Sequence, residues 1–248
     1  MNVLKLPGVS AALLVALMLA VWQVTFKVAG AMAIASPAST FAYLIQHLPD
    51  LWVHIRATGQ AFLIALAIAI VGGLAIGLLT GLGATAAETA EPLLLAANSI
   101  PKIALYPVVL LLFGIGLPAK VAFGAIHGII PVAIFTMNAC RGVPPVLLKT
   151  ADVLRLSPMD RIRAILLPSA LPAILTGVRL GFSLTLIGTI LGEMFGSQSG
   201  LGYLLMTSIG LQNTDIIMAV TVLLIAFAAS VSTVLLAWER RLRRDRGQ

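Results

Sequence analysis

Charge is what this sequence has least of. Asp, Glu, Lys and Arg make up only 10% of its 248 residues, where soluble domains carry about 25%. With 60% hydrophobic residues and a mean hydropathy of +1.06, the chain has too little polar surface for water and reads as one integral membrane domain. Acids are scarcer than bases, nine against sixteen, for a net charge of +7. Such a balance would suit nucleic acid, but the placement of the cations gives a different account, set out below. The single cysteine, Cys140, excludes an internal disulfide and a thiolate metal site, and reads as a small apolar residue near a helix end. Also missing are a nucleotide-binding loop, a His/Glu metal cluster and a nucleophile–base arrangement. No catalytic residue, metal ligand or cofactor is therefore predicted in this chain. Any energy-requiring work must be driven by a partner. No internal repeat is evident, which leaves an inverted-repeat carrier unsupported.

What is present is apolar runs of spanning length. The expected class is all-α and polytopic, with about six transmembrane helices. The run 9–28 is long enough to cross. A cleaved signal ending near Ala31-Met32-Ala33 is the competing reading, and the retained span is preferred. Residues 29–55 read as an external linker with an interfacial segment at Trp52. A second span covers 58–81, where Gly72, Gly73, Gly77 and Gly81 either permit close helix approach or are simply tolerated in lipid. The third, 92–115, is interrupted by Pro101 and Pro107 and contains Lys102. That lysine either faces a translocation path and favours anions, or snorkels, or pairs with Glu88 or Glu91. A turn over 114–120 leads to a fourth span, 121–139, in which His127 reads as packed. The fifth, 170–194, carries Arg179, which caps carbonyls, pairs with an acid of a neighbouring span or lines the path. Glu193 closes it. Gly196, Gly200 and Gly202 form a hinge before a short helix, 203–209; a phosphate loop is dismissed there for want of a lysine and a preceding strand. A sixth span, 216–238, ends in a basic tail.

The longest polar interruption is 141–168, RGVPPVLLKTADVLRLSPMDRIRAILLP. It reads as two short helices. On the first, Val146, Leu147, Thr150, Val153 and Leu154 share one face, with Lys149, Asp152 and Arg155 off it. Ser157 is the N-cap of the second, Pro158 its first residue, and Asp160 stands three after the cap. The second helix buries Ile162, Ile165 and Leu166 and stops before Pro168. Such a knob either docks a soluble partner or lies on the headgroups as a basic connector.

This stretch resembles the "EAA" loop of bacterial ABC-importer permeases: E-A-A, three residues, G, nine residues, I-x-L-P. Ile165, Leu167 and Pro168 match the second half, and Pro172 follows. The glycine position falls on Arg155 and the triplet on Lys149, Thr150 and Ala151, so the spacing is kept while the Glu and the Gly are replaced. IPKIALYPVVLLLFGIG (100–116) and GEMFGSQSGLGYLL (192–205) resemble the nitrate, sulfonate and taurine group of these binding-protein-dependent permeases. The likeness implies a type I importer, MetI-like permease fold. It implies a permease domain over 56–240, preceded by an N-terminal helix and linker (1–55) and followed by a cytoplasmic tail (241–248). It implies a homodimer in the inner membrane, two ATPase subunits binding ATP and Mg, a periplasmic or lipid-anchored binding protein, and a small anionic solute such as a sulfonate, taurine or nitrate. The coupling loop would use Lys149, Thr150, Ala151, Asp152, Arg155, Ser157, Ile165, Leu167 and Pro168. The path would involve Lys102, Tyr106, Arg179 and Glu193. The rival class is an ATPase-independent channel or secondary carrier, which needs more ionisable groups within spans than Lys102, His127 and Arg179.

Cation counting supports the same orientation independently. With six spans and both termini inside, Lys5, five cations of the loop and five of the tail face the cytoplasm, against Lys27, Arg56 and Lys120 outside. Nucleic acid is not needed to explain the charge; lipid headgroups are the partner of these cations.

Overall fold

The computed structural model describes residues 7–244; Lys5 and residues 245–248 of the basic tail, Arg246 among them, lie outside these. The described residues form eleven α-helices and no strand. Among the described residues, five helices are long and apolar enough to cross a bilayer, and six segments do so if one bent pair counts as a single span. The all-α, polytopic class is thereby met.

Helix α1 (Pro7–Ala29) touches little besides α2 (Pro37–Gln46). The indole of Trp22 donates to the carbonyl of Ala35 at 2.9 Å, where the chain turns between them. The expected linker over 29–55 is largely helical instead. Helix α2 is capped by Ser36, whose hydroxyl accepts from the Ser39 amide. Helix α3 (Leu48–Gly81) starts ten residues before the predicted position 58. Pro49 does not oppose this, because the first turn has no intrahelical use for its missing N–H. Leu51 then anchors the turn by packing against Leu201 and Val220. Thirty-four residues reach about 50 Å, well beyond the roughly 30 Å of hydrocarbon. The uninterrupted apolar run 61–79 fills that depth. Thr58 and Gln60 therefore stand just past one boundary, and Gly81 just past the other.

The predicted third span is broken. Helix α4 (Ala84–Ser99) stops before Pro101, which lacks the N–H to continue it. A 3-10 turn (Lys102–Leu105) and helix α5 (Tyr106–Phe113) leave at 84° to α4. Lys102 caps the break, its ammonium donating to the carbonyl of Asn98 at 3.1 Å.

Helix α6 (Leu117–Arg141) is the centre of the bundle, packed along α3 on one side and α9 (Leu167–Gly196) on the other. Glycine makes both approaches possible. A Cβ on Gly73 or Gly77 would lie 2.5 Å from the Cβ of Val132 or Thr136, and one on Gly81 2.8 Å from that of Cys140. Gly72 lies toward the edge of this seam, where a Cβ would meet Ile129 of α6 at an ordinary 3.6 Å. On the other side Gly177, Gly181, Gly188 and Gly192 of α9 meet Phe135, Val132, His127 and Lys120. Between apolar helices in lipid such close backbone contact supplies the packing energy.

The start of α6 corrects another expectation. Residues 117–120 are helical rather than a turn, so Lys120 is not a loop cation; it is 3% exposed in the bundle. His127 is packed as expected, against Phe123. After α6 come α7 (Pro145–Val153) and α8 (Pro158–Arg161), which leads through a π-helical turn (Ile162–Leu166) into α9. The predicted stop before Pro168 does not occur. Pro168 falls in the first turn of α9, and the Leu167 amide reaches back to Ile162, widening the turn around the proline. Helix α10 (Leu201–Gly210) and α11 (Thr214–Arg244) complete the chain.

Candidate functional site

Two polar centres stand at opposite ends of the bundle. The first is the 141–168 loop. Helix α7 ends in a Schellman turn: the Leu156 amide donates to Ala151 O and the Arg155 amide to Asp152 O, both at 3.1 Å. The residue that makes this turn is Arg155, at φ 49°, in the left-handed region. Thus the tight turn persists without its glycine. Ser157 caps α8 as expected, accepting from the Asp160 amide at 3.2 Å and donating to the Asp160 carboxylate at 2.6 Å. Arg161 bridges back to Asp152 at 2.9 Å, tying α8 to α7. At the loop's base Arg141 pairs with Glu91 of α4 at 2.6 Å.

The structure shows which side of α7 is buried, and it is not the apolar stripe read from the sequence. Leu148 and Ala151 point inward, Leu148 joining the cluster of Cys140, Val143 and Leu166, with Ile165 packed beside it. Val146, Leu147, Val153 and Leu154 are exposed, Val153 at 81%. The anchor at Val143 and the Schellman turn set the helix phase, so the longer apolar stripe faces outward. Lys149, Thr150, Asp152, Arg155 and Ser157 are exposed as well. Leu167 is exposed and Pro168 half-buried at the root of α9.

The second centre is Glu193. Its carboxylate has no solvent exposure and collects donors from three other elements. Thr58 of α3 donates at 2.8 Å, the Gly202 amide of α10 at 3.0 Å and the Lys120 ammonium of α6 at 3.2 Å. The Thr58 hydroxyl in turn accepts from the Leu201 amide at 2.7 Å. Lys120 spends its remaining donors on the elbow between α9 and α10, on Ser199 O at 3.2 Å and Ser197 Oγ at 3.4 Å. Gly200 wraps the carboxylate at φ 116°, where any Cβ would collide with it. A buried ion pair of this kind is tolerated only because its remaining hydrogen-bonding capacity is met. Tyr106 sits beside it, donating to Gly192 O at 2.7 Å and edge-on to Phe123.

Near the loop-bearing end, Arg179 of α9 lies 3.3 Å from Glu239 of α11, which also accepts from Thr176 at 2.8 Å. On the opposite face, Tyr43 stacks on His47 at 4.0 Å. Burial first, then the carboxylates of Asp50 and Asp215, push its phenol upward. No cluster of three or more His, Cys, Asp or Glu suits a metal among the described residues.

Comparison with known proteins decides the lineage. Residues 69–247 match the family model of the binding-protein-dependent transport system inner membrane component. The chain belongs to that family. One relative of this permease is the putative aliphatic sulfonates transport permease protein SsuC of Bacillus subtilis (strain 168), 29% identical, with 93% of this chain and 85% of that protein covered. Another is the taurine transport system permease protein TauC of Escherichia coli (strain K12), 26% identical over 77% of this chain and 70% of that one. Among solved structures, the inward-facing MetNI methionine ABC transporter superposes with a TM-score of 0.67 at 21% identity, covering 78% of this chain and 98% of the other. That likeness extends to the fold.

Set against this family membership, the permease's chemistry-bearing residues fall into separate groups. The loop residues 149–157 and 165–168 form one body. Tyr106 and Glu193 meet at the far end, whereas Lys102 caps a helix break and Arg179 braces α9 on α11. Sequence reasoning missed Lys120 and Thr58 as partners of Glu193, and Glu239 as the partner of Arg179. Lys120 was legible in principle: it lies three residues into an apolar span with Pro118 before it, a helix start rather than a loop.

Proposed function

We propose that this chain forms the translocation path of an ATP-driven importer for a small anion such as a sulfonate, taurine or nitrate. Two copies make the path, two ATPase subunits that hold ATP and Mg grip the two loops, and an external binding protein delivers the solute. Both termini face the cytoplasm, with residues 1–55 as an added helix and external segment, 56–240 as the permease domain and 241–248 as a cytoplasmic tail. The observation that carries this reading is the knob at 141–168. It keeps an apolar stripe exposed, is braced internally by Arg161–Asp152, and continues without a break into the spanning helix α9. A stripe that a connector would bury is here free for a partner. Lys149 to Ser157 supply the contact surface, and Ile165, Leu167 and Pro168 its root.

Within the membrane, Lys102, Tyr106, Arg179 and Glu193 act as posts of the path: they hold α4, α5, α9 and α10 in place. ATP and the loaded binding protein must favour one access state over the other for the cycle to run. The relatives named for sulfonate and taurine transport support the solute class. The test is purification from native membranes in mild detergent, with subunit masses and ATP hydrolysis measured. Two copies of this chain with two ATPase subunits is the expected composition. A homo-oligomer without ATPase, under conditions that preserve other importers, refutes it.

A further inference from the structure

We propose that the recess between α3, the start of α6 and the α9–α10 elbow binds the oxyanion head of the solute, with Arg56 as the cation that draws it in. The recess encloses about 460 Å³, and polar groups converge on it: Gln60 from α3, Lys120 from α6, and Ser197, Gln198 and Ser199 from the elbow. A second concave strip of about 780 Å³ runs along α3 past Trp52 and Arg56. The two share Ala57 and Gln60, so they form one continuous surface. Ile115 and Leu117 on the rim offer apolar contact to an organic tail.

Two cations line this continuous surface, Lys120 and Arg56, and only Arg56 stands outside an ion pair. Lys120 is neutralised by Glu193 and its donors are spent on the elbow. Its part is to hold the wall of the recess in place. The other cations in ion pairs are Arg141, Arg161 and Arg179. Arg56 is exposed and has no acidic partner among the described residues. The nearest acid on its own helix, Asp50, is six residues back and turned about a third of a circle away. Arg56 also lies about one turn beyond the apolar run 61–79, with its side chain exposed along the strip. Its planar fork matches an oxyanion, and Gln60, four residues on, stands on the same face of α3 to add an amide donor. Glu193 fixes the elbow that carries the serines, so the recess is formed before the solute arrives.

The site's purpose rests on the importer reading, but its existence does not, and the test is made on the full chain alone. Trp52 lies four residues from Arg56 and lines the same strip. In a Trp22→Phe, Trp238→Phe background it is the single tryptophan, excited selectively over the three tyrosines at the red edge of its absorption. Quenching by iodide reports anions at the strip, and quenching by neutral acrylamide reports exposure and an intact fold. Arg56→Gln is expected to lower the iodide quenching constant about threefold with acrylamide quenching unchanged, and Arg56→Lys to restore most of it. Ethanesulfonate is expected to displace iodide saturably, and less well in Gln60→Leu. Iodide quenching that ignores Arg56→Gln, or that ethanesulfonate lowers only in proportion to ionic strength, overturns the proposal. So does a saturable effect present in maltoside micelles but absent in phosphatidylcholine nanodiscs, which would give Arg56 to a lipid phosphate. Either failure leaves co-purification with the ATPase untouched, and loss of that co-purification leaves this result standing.

Discussion

Removing the charge of Glu193 while keeping its shape isolates what the buried pair does. In Glu193→Gln the amide oxygen still accepts from Thr58 or the Gly202 amide. The Lys120 ammonium, however, is left with Ser199 O and Ser197 Oγ and a side chain only 4% exposed. Breaking a buried pair from one side costs about 3–5 kcal/mol, because the surviving charge stays desolvated. Lys120→Met alone strands the carboxylate, though two neutral donors remain, and about 3 kcal/mol is expected. The double variant Glu193→Gln with Lys120→Met removes both charges and should cost only about 1–2 kcal/mol, giving a coupling energy of roughly 4–7 kcal/mol. At roughly 2–4 °C per kcal/mol for a chain of this size, the single variants should melt roughly 6–20 °C early in detergent, and the double variant within about 8 °C of the parent. Near-additive losses, with the double variant worse than either single one, would refute the claim that the pair is held together chiefly by mutual charge compensation.

Arg155→Gly should stabilise the loop by about 1 kcal/mol, since the left-handed conformation costs an L side chain about that much; hydrogen exchange at the Leu156 and Arg155 amides reads it, and slower opening is the expected sign. Ala151→Arg places a charged side chain where Ala151 is 2% exposed, and uptake should vanish while the chain remains in the membrane; unchanged uptake removes α7 from the coupling role. Gly77→Ala should cost about 1–3 kcal/mol and Gly72→Ala almost nothing, because only the former meets Thr136 within 2.6 Å; equal melting temperatures would contradict the described α3–α6 seam.

The spans were legible because apolar runs of membrane length have few other uses. Ser157, Pro158 and Asp160 were legible because capping is local chemistry. What escaped was whatever depends on where helices meet. The stripe Val146–Leu147–Val153–Leu154 has a helical period whether it faces the bundle, lipid or another protein. The period alone could not show that Leu148 and Ala151 face inward. Pro168 reads as a stop, but a single wide turn accommodates it. Arg155 shows the converse: a position that favours glycine still takes the left-handed turn when hydrogen bonds on both sides demand it. The two interhelical ion pairs of α9 were half visible. Glu193 and Arg179 stood out as ionisable groups in apolar surroundings, while Lys120 and Glu239 were hidden by being assigned to a loop and a tail.

Helix α9 runs for 30 residues with no break, from the root of the knob at Leu167 to the elbow at Gly196. Its length is about 45 Å. A helix of that reach behaves as a lever arm. A tilt of about 5° about one end carries the other through about 4 Å, more than the span of a hydrogen bond. Were α9 to pivot near the knob, a displacement there too small to unseat Leu148 would reach the scale on which Gly202, Thr58 and Lys120 hold one carboxylate. The distance between the two polar centres would then act as gain.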